Sequence, residues 1–170
     1  MKPLVAFFVA IFLSATSVSA AWFARLDSGG RLVVTGVAVN PDETNTAVYL
    51  TCSGETFDIE VLTVFNAKSD ELSYFKGTKV ILGYKTKTGD EKKMGLDGEP
   101  VVSAGGALSI RANLTSEQSS AINDSIGRGR RLDVELVHPE LTDDKGVKKV
   151  LAEGFTTMTL AIAAECPSIK

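Results

Sequence analysis

The chain has 170 residues, of which 44% are hydrophobic and 23% charged, and a formal net charge of −3 at pH 7. This length suits one ordinary globular domain. The mildly acidic balance argues against nucleic acid as a partner, because phosphate binding requires clustered positive charge.

The first 20 residues have the pattern of a secretory signal peptide. Lys2 supplies a positive start, the run from Leu4 to Leu13 is entirely apolar, and Val18-Ser19-Ala20 is a good leader-peptidase site. The alternative is a membrane anchor, but ten apolar residues span only about 15 Å as a helix, half of a hydrocarbon core. We therefore expect cleavage after Ala20, which leaves residues 21–170 as one periplasmic or secreted domain without a membrane span.

The predicted export determines how the two cysteines are interpreted. Cys52 and Cys166 are the only cysteines in the chain. An even number of cysteines in an oxidising compartment usually means disulfide bonds. A reactive thiol or a metal pair is the alternative, but there is no C-x-x-C motif, and the only histidine, His138, is distant in sequence. The sequence therefore predicts a Cys52–Cys166 disulfide.

The predicted elements after the leader are mostly strands. The β-branched run from Arg31 to Val39 lies between two turn signals, Gly29-Gly30 and Asn40-Pro41-Asp42. The segment Ala47–Gly54 alternates between polar and apolar residues, which places Cys52 on the same face as two large aliphatic side chains. This face is expected to point into a core.

A hairpin rich in lysine is predicted next. The strand Thr56–Phe65 alternates as well, with Phe57, Ile59, Val61 and Thr63 on one face. The segment Thr78–Leu96 then contains a turn at Thr88-Gly89-Asp90. The lysines around that turn are Lys85, Lys87, Lys92 and Lys93. They are interpreted either as solvating residues of a sheet edge or as contacts for an anionic partner. Two short strands are predicted around Gly105-Gly106.

One segment has the pattern of a short amphipathic helix. Thr115 is a candidate N-cap, Gln118 completes a capping box, and Gly127 is a stop signal. The arginines that follow are Arg128, Arg130 and Arg131. They complement the negative end of the helix dipole, or alternatively contact an acidic partner surface or an anionic glycan through their guanidinium groups.

The rest of the chain is again predicted as strand. Leu132, Val134 and Leu136 form the apolar face of one strand, a polar loop follows over residues 139–149, and a final strand is expected around Phe155 to Leu160. With seven to nine short strands, the sequence predicts a mostly β protein, an antiparallel β-sandwich with one short helix and a long-range disulfide.

No constellation of residues predicts catalysis. A single histidine, His138, leaves no Ser-His-Asp or Cys-His arrangement, and one histidine with two oxidised cysteines cannot complete a zinc site. The 21 acidic residues single out no carboxylate pair of the glycosidase kind. We therefore expect no cofactor, no metal and no enzymatic activity.

The order of features resembles two groups of small periplasmic proteins from Gram-negative bacteria. The residues that carry this resemblance are Trp22, Tyr49–Gly54 (YLTCSG), Arg130–Val137 (RRLDVELV) and Gly154–Cys166 (GFTTMTLAIAAEC). They are similar to proteins of the invasion-associated locus B type and to periplasmic accessory proteins of type VI secretion clusters. The resemblance implies a closing cysteine bonded to an early one, and it transfers no catalytic residue.

The favoured interpretation is an exported, disulfide-locked binding module that contacts a protein or a cell-envelope component, a class that includes inhibitors and immunity proteins. The candidate contacts are Lys85, Lys87, Lys92, Lys93, Arg128, Arg130 and Arg131. Two other hypotheses remain open at this point, a carrier of a small apolar ligand held between the sheets and a hydrolase of envelope polysaccharide.

Overall fold

The structure is a computed structural model that describes residues 22–53, 56–144 and 146–166. The predicted signal peptide (1–20) lies outside these residues. The described strands are β1 (Trp22–Leu26), β2 (Leu32–Val39), β3 (Asn45–Ser53), β4 (Thr56–Asn66), β5 (Lys79–Lys85), β6 (Glu91–Asp97), β7 (Glu99–Val102), β8 (Ala107–Asn113), β9 (Leu132–Val137) and β10 (Val147–Val150). The helices are α1 (Ser116–Gly127) and α2 (Phe155–Glu165), and short 3-10 turns cover Leu72–Phe75 and Thr142–Asp144.

The ten strands form one antiparallel sheet that is nearly closed as a barrel. The strand order is β6-β5-β9-β10-β2-β3-β4-β8-β7, and β1 pairs with β2 beside this path. The two edge strands, β6 and β7, are consecutive in the chain and are joined by Gly98. A Cβ atom at Gly98 would lie 2.5 Å from Ile110 Cγ2 and 2.9 Å from the carbonyl oxygen of Thr78, so this crossing from one edge to the other requires glycine.

The period-2 pattern of the sequence places the core inside the curled sheet. In β3, Leu50 and Cys52 are buried, whereas Tyr49 and Thr51 on the other face are only half-buried. In β4, the predicted core face of Phe57, Ile59, Val61 and Thr63 is buried throughout. Alternation of side chains across a strand explains this division, and it confirms the core faces predicted for both strands.

Helix α1 begins at the predicted capping box. Gln118 N donates to Thr115 Oγ1 and Thr115 N donates to Gln118 Oε1, which satisfies two backbone donors at the start of the helix. Two buried serines attach the helix to the sheet: Phe57 N donates to Ser119 Oγ at 2.9 Å, and Lys85 N donates to Ser125 Oγ at 3.3 Å. The C-terminal end of α1 is thereby held next to the end of β5.

The first strand and the last helix pack together. The Trp22 ring meets the Phe155 ring edge-on, with centroids 4.8 Å apart and an interplanar angle of 73°. Trp22 Nε1 donates to the carbonyl oxygen of Leu151. Beyond α2, Cys166 is bonded to Cys52 on β3, as the sequence predicts, with the two Cα atoms 6.1 Å apart. The end of the described chain is thus tied to the middle of the sheet.

Most of the predicted architecture is confirmed: the protein is mostly β and antiparallel, α1 is present, and the disulfide forms. The strands belong to one curled sheet rather than to two separate layers. The final strand predicted around Phe155 to Leu160 is wrong, because these residues form the first half of α2. Within the predicted polar loop, Val147 to Lys149 belong to β10. Strand β1 was not predicted.

Candidate functional site

The candidate site lies where the lysine-rich hairpin meets the chain that leaves α1. Strands β5 and β6 pair from Lys79 opposite Asp97 to Lys85 opposite Glu91. The connecting turn is closed by a hydrogen bond from Thr86 N to Asp90 O at 2.9 Å. Gly89, with a φ of 95°, adopts the left-handed conformation that the predicted turn requires.

Arg130 joins the two segments. Its guanidinium group donates to the carbonyl oxygens of Thr86 and Lys87 in the hairpin turn, the second at 3.2 Å. A guanidinium group presents several donors in a fixed plane, so it can bind two neighbouring carbonyl groups at once. Arg130 therefore fixes the hairpin turn against the end of α1, and its donors are partly used for that purpose.

The two segments form a cleft with a volume of about 340 Å³. Five of the seven predicted contact residues line it, and we call it the cationic cleft: Lys85, Lys92, Lys93, Arg130 and Arg131. Its other lining residues are Gly83, Tyr84, Glu91 and Asp133. Strand pairing brings these residues together, because Gly83 of β5 lies opposite Lys93 of β6 and opposite Asp133 of β9.

Two carboxylates offset part of the positive charge in the cleft. Lys85 Nζ lies 3.4 Å from Glu91 Oε1, and Arg131 Nε lies 2.6 Å from Asp133 Oδ1. Both cations remain about half exposed, with relative side-chain accessibilities of 50% and 55%. With five cations and two carboxylates on its lining, the cleft carries a local excess of positive charge. Such a surface attracts anionic groups.

The two remaining candidates lie beside the cleft rather than in it. Lys87 lines a neighbouring cavity of about 230 Å³ together with Asp124 of α1. Its Nζ is 3.9 Å from Asp124 Oδ1, and Arg128 Nε contacts the same oxygen at 2.9 Å. Arg128 also caps α1, since its backbone N–H donates to Asp124 O. Its contacts are those of a residue that ends the helix.

Sequence reasoning missed the acidic and aromatic residues of the cleft. Tyr84, Glu91 and Asp133 line it, but in the sequence they are ordinary members of alternating strands. Asp133 lies beside the predicted arginine cluster, yet only the pairing of β5 with β9 places it opposite the hairpin. The register of strand pairing, which the sequence does not encode locally, was the missing signal.

The only histidine of the chain lies outside the cleft and contacts backbone groups. His138 is half-buried; its Nε2 lies 3.2 Å from Lys76 O, and its Nδ1 accepts from Glu140 N at 3.2 Å. Across the residues described, no three side chains of the His, Cys, Asp or Glu type converge as metal ligands. Nor does the described chain contain a helix with the length and apolar character needed to span a membrane.

Three carboxyl groups elsewhere in the sheet have displaced pKa values. Backbone and side-chain hydrogen bonds from Arg31 lower the pKa of Asp27, and those from Thr44 lower the pKa of Asp42. Burial raises the pKa of Asp58 on β4, although the positive charge of Arg111 opposes it. None of these three groups lines the cationic cleft.

Among solved structures, the chain is similar to invasion-associated protein B from Bartonella henselae. The TM-score is 0.53 at 12% sequence identity, and the match covers 85% of this chain and 93% of that chain. At this identity the likeness concerns the fold, and it confirms the predicted resemblance to the invasion-associated locus B type at that level. No protein-family model and no curated protein sequence matches the chain.

Proposed function

We propose that the protein is an exported, non-enzymatic binding module that holds an acidic protein or cell-envelope partner in its cationic cleft. One observation carries this proposal. Two basic segments about 40 residues apart in the sequence, the β5–β6 hairpin and the chain after α1, line the same cleft. Hydrogen bonds from Arg130 to the turn carbonyls hold them together, so the charges are arranged before a partner arrives.

Export is supported by three features of the chain. The leader pattern predicts it, the Cys52–Cys166 disulfide is compatible with an oxidising compartment, and the fold resembles that of invasion-associated protein B. Mass measurement of protein recovered from a periplasmic fraction tests it. A mature chain that begins at Ala21 and contains no free thiol is the expected result, and an uncleaved or reduced chain would contradict it.

The binding role is tested by charge reversal at the two cleft lysines without an assigned ion pair. Lys92→Glu with Lys93→Glu changes the charge of the cleft by four units, and Lys68→Glu with Lys76→Glu changes the charge elsewhere by the same amount. Exposed ion pairs contribute about 0.2 to 1 kcal/mol each, so losing two and adding repulsion should weaken binding roughly tenfold. The control pair should leave the affinity within about twofold of the wild type.

The measurement is a crosslinked pull-down from envelope extracts, followed by titration of the purified partner at two salt concentrations. Binding through the cleft should weaken as salt rises, because salt screens exposed charges. Equal capture by the cleft variant and the control variant would refute the cleft as the contact surface. Native mass spectra of the same preparation address the carrier hypothesis, which requires a bound apolar ligand, whereas the binding module should give the mass of the chain alone.

A further inference from the structure

Away from the cleft, a lysine, an aspartate and an asparagine are buried together at one end of the sheet. Lys148 of β10 is 1% exposed, Asp144 is 4% exposed, and Asn40, which follows β2, is 8% exposed. Lysine and aspartate are almost never fully buried unless they are paired. Lys148 forms an ion pair with Asp144, and its Nζ lies 3.0 Å from Asn40 Oδ1.

A second hydrogen bond sets the orientation of the Asn40 amide beside this ion pair. The other side of the Asn40 amide is held by Thr44, because Asn40 Nδ2 donates to Thr44 Oγ1 at 2.9 Å. The amide carbonyl is thereby turned toward the lysine amine. The second carboxylate oxygen of Asp144, Oδ2, is buried without a hydrogen-bond partner. An amine, a carbonyl group and a carboxylate oxygen without a hydrogen-bond partner are therefore buried side by side.

The ion pair between Lys148 and Asp144 is held away from water. Removing two opposite charges from water costs several kcal/mol per ion, of which their mutual attraction recovers only a part. A neutral lysine amine is a competent nucleophile, and Lys148 Nζ lies 3.0 Å from Oδ1, the oxygen bonded to the amide carbon of Asn40.

We propose that Lys148 and Asn40 are a site of intramolecular isopeptide bond formation, with Asp144 as the proton-transfer group. In this reaction Asp144 first takes one proton from the Lys148 ammonium. The neutral Nζ then attacks Asn40 Cγ, the Nζ–Cγ bond forms, and the Cγ–Nδ2 bond breaks. Asp144 supplies a proton to the departing nitrogen and takes one from the attacking nitrogen, so its carboxyl group is regenerated. The products are a secondary amide and one ammonia, and the reaction needs no oxidant, reductant or added reactant.

The position of this bond in the fold supports the assignment. Among the described strand pairs, the pairing of β2 with β10 is the shortest, with Lys149 opposite Val39 and Val150 opposite Ala38. One step further along this antiparallel register, Lys148 faces Asn40. The isopeptide bond would link β2 and β10 covalently, next to their short pairing. A bond between Lys148 and Asp144, four residues apart on the same segment, would join no strands.

The intact mass of the full chain decides the proposal. After reduction of the disulfide, the protein should weigh one ammonia less than its sequence mass. Proteolysis should release a branched peptide that contains both Lys148 and Asn40, with no cleavage by trypsin at Lys148. The full sequence mass, a deficit of one water instead, which would place the bond at Asp144, or an ammonia deficit located at another asparagine would each overturn it.

Variants separate the roles of the three residues. Asp144→Asn keeps the side-chain shape but removes the proton-transfer group, and it should restore the full mass, allowing for its own substitution. The control is Lys149→Gln, which changes the adjacent exposed lysine of β10 and should retain the ammonia deficit. If the deficit persists in Asp144→Asn, the role of Asp144 is wrong. Because the wild-type mass is decisive by itself, a variant that fails to fold does not leave the question open.

Discussion

Gly36 on β2 offers a sharp test of how the first strand is held. A Cβ atom at this position would lie 2.5, 2.6 and 2.7 Å from three carbons of the Trp22 ring, whereas carbon atoms in ordinary contact are about 3.5 to 4 Å apart. Gly36→Ala therefore forces the indole to move by roughly 1 Å in a site where Trp22 is 1% exposed. Overpacking of this kind costs about 1 to 3 kcal/mol.

Displacement of the ring also breaks its other contacts. The hydrogen bond from Trp22 Nε1 to Leu151 O contributes about 0.5 to 1.5 kcal/mol, and the edge-on contact with Phe155 is lost as well. The free energy of unfolding should therefore fall by about 2 to 4 kcal/mol. For a domain of this size the corresponding fall in Tm is roughly 5 to 15 °C.

The assay is urea unfolding followed by tryptophan fluorescence, since Trp22 is the only tryptophan in the chain. The matched control is Gly95→Ala on β6, where the added Cβ would lie 3.4 Å from Ile81 Cδ1, an ordinary contact. That variant should stay within about 0.5 kcal/mol of the wild type. If Gly36→Ala unfolds at the same urea concentration as the control and keeps the native emission spectrum, the indole does not cover Gly36.

The remaining predictions concern the disulfide, the cap of α1 and one carboxyl group. Replacing Cys52 and Cys166 by serine should lower the free energy of unfolding by about 4 to 5 kcal/mol in the loop-entropy model, and an unchanged urea midpoint would show that the bond adds no stability. Thr115→Ala should cost about 1 kcal/mol in the same assay while Thr115→Ser costs little, and equal losses would contradict the capping role. Because burial raises the pKa of Asp58, its carboxylate destabilises the native state above that pKa, so Asp58→Asn should stabilise the protein at pH 7 by a few tenths of a kcal/mol. The gain should disappear below pH 3.8, where the carboxyl group is protonated in both states, and a gain independent of pH would refute this cause.

Local patterns were sufficient to predict the elements whose burial follows from their own sequence. The alternation in β3 and β4 and the Thr115–Gln118 capping box depend on neighbours a few residues apart, and the structure bears them out. Strand β10 was not predicted, because its burial depends on partners that lie outside the strand. A segment with two lysines is typical of an exposed strand or loop, but Lys148 is buried because Asp144, four residues before it, and Asn40, distant in the sequence, supply its partners.

The residues of α2 were wrongly predicted as a strand, because residue type was given more weight than the spacing of the apolar residues. Its threonines favour a strand in isolation, and the sequence was interpreted accordingly. The buried residues, however, are Phe155, Ile162 and, just beyond the helix, Cys166, at intervals of seven and four that define one face of a helix. In this segment tertiary packing overrode β-propensity, and the helical period was the better signal.

The five cations of the cationic cleft could be named from the sequence, but their convergence could not be predicted. Lys92 and Arg131 are close only because β9 pairs with β5 and β5 pairs with β6, and this strand order is set by the whole sheet. The sequence also gave no means of separating Arg128, which ends α1, from Arg131, which lines the cleft. Whether these residues contact a partner remains a prediction.

The contact between Trp22 and Phe155 has a consequence for synthesis of the protein. A ribosome releases β1 more than a hundred residues before the helix against which its indole packs. The nascent chain therefore cannot complete this contact, nor can Cys52 meet Cys166, until nearly all described residues have emerged. The folding of this polypeptide is therefore completed only after elongation, when both ends of the described chain are available to each other.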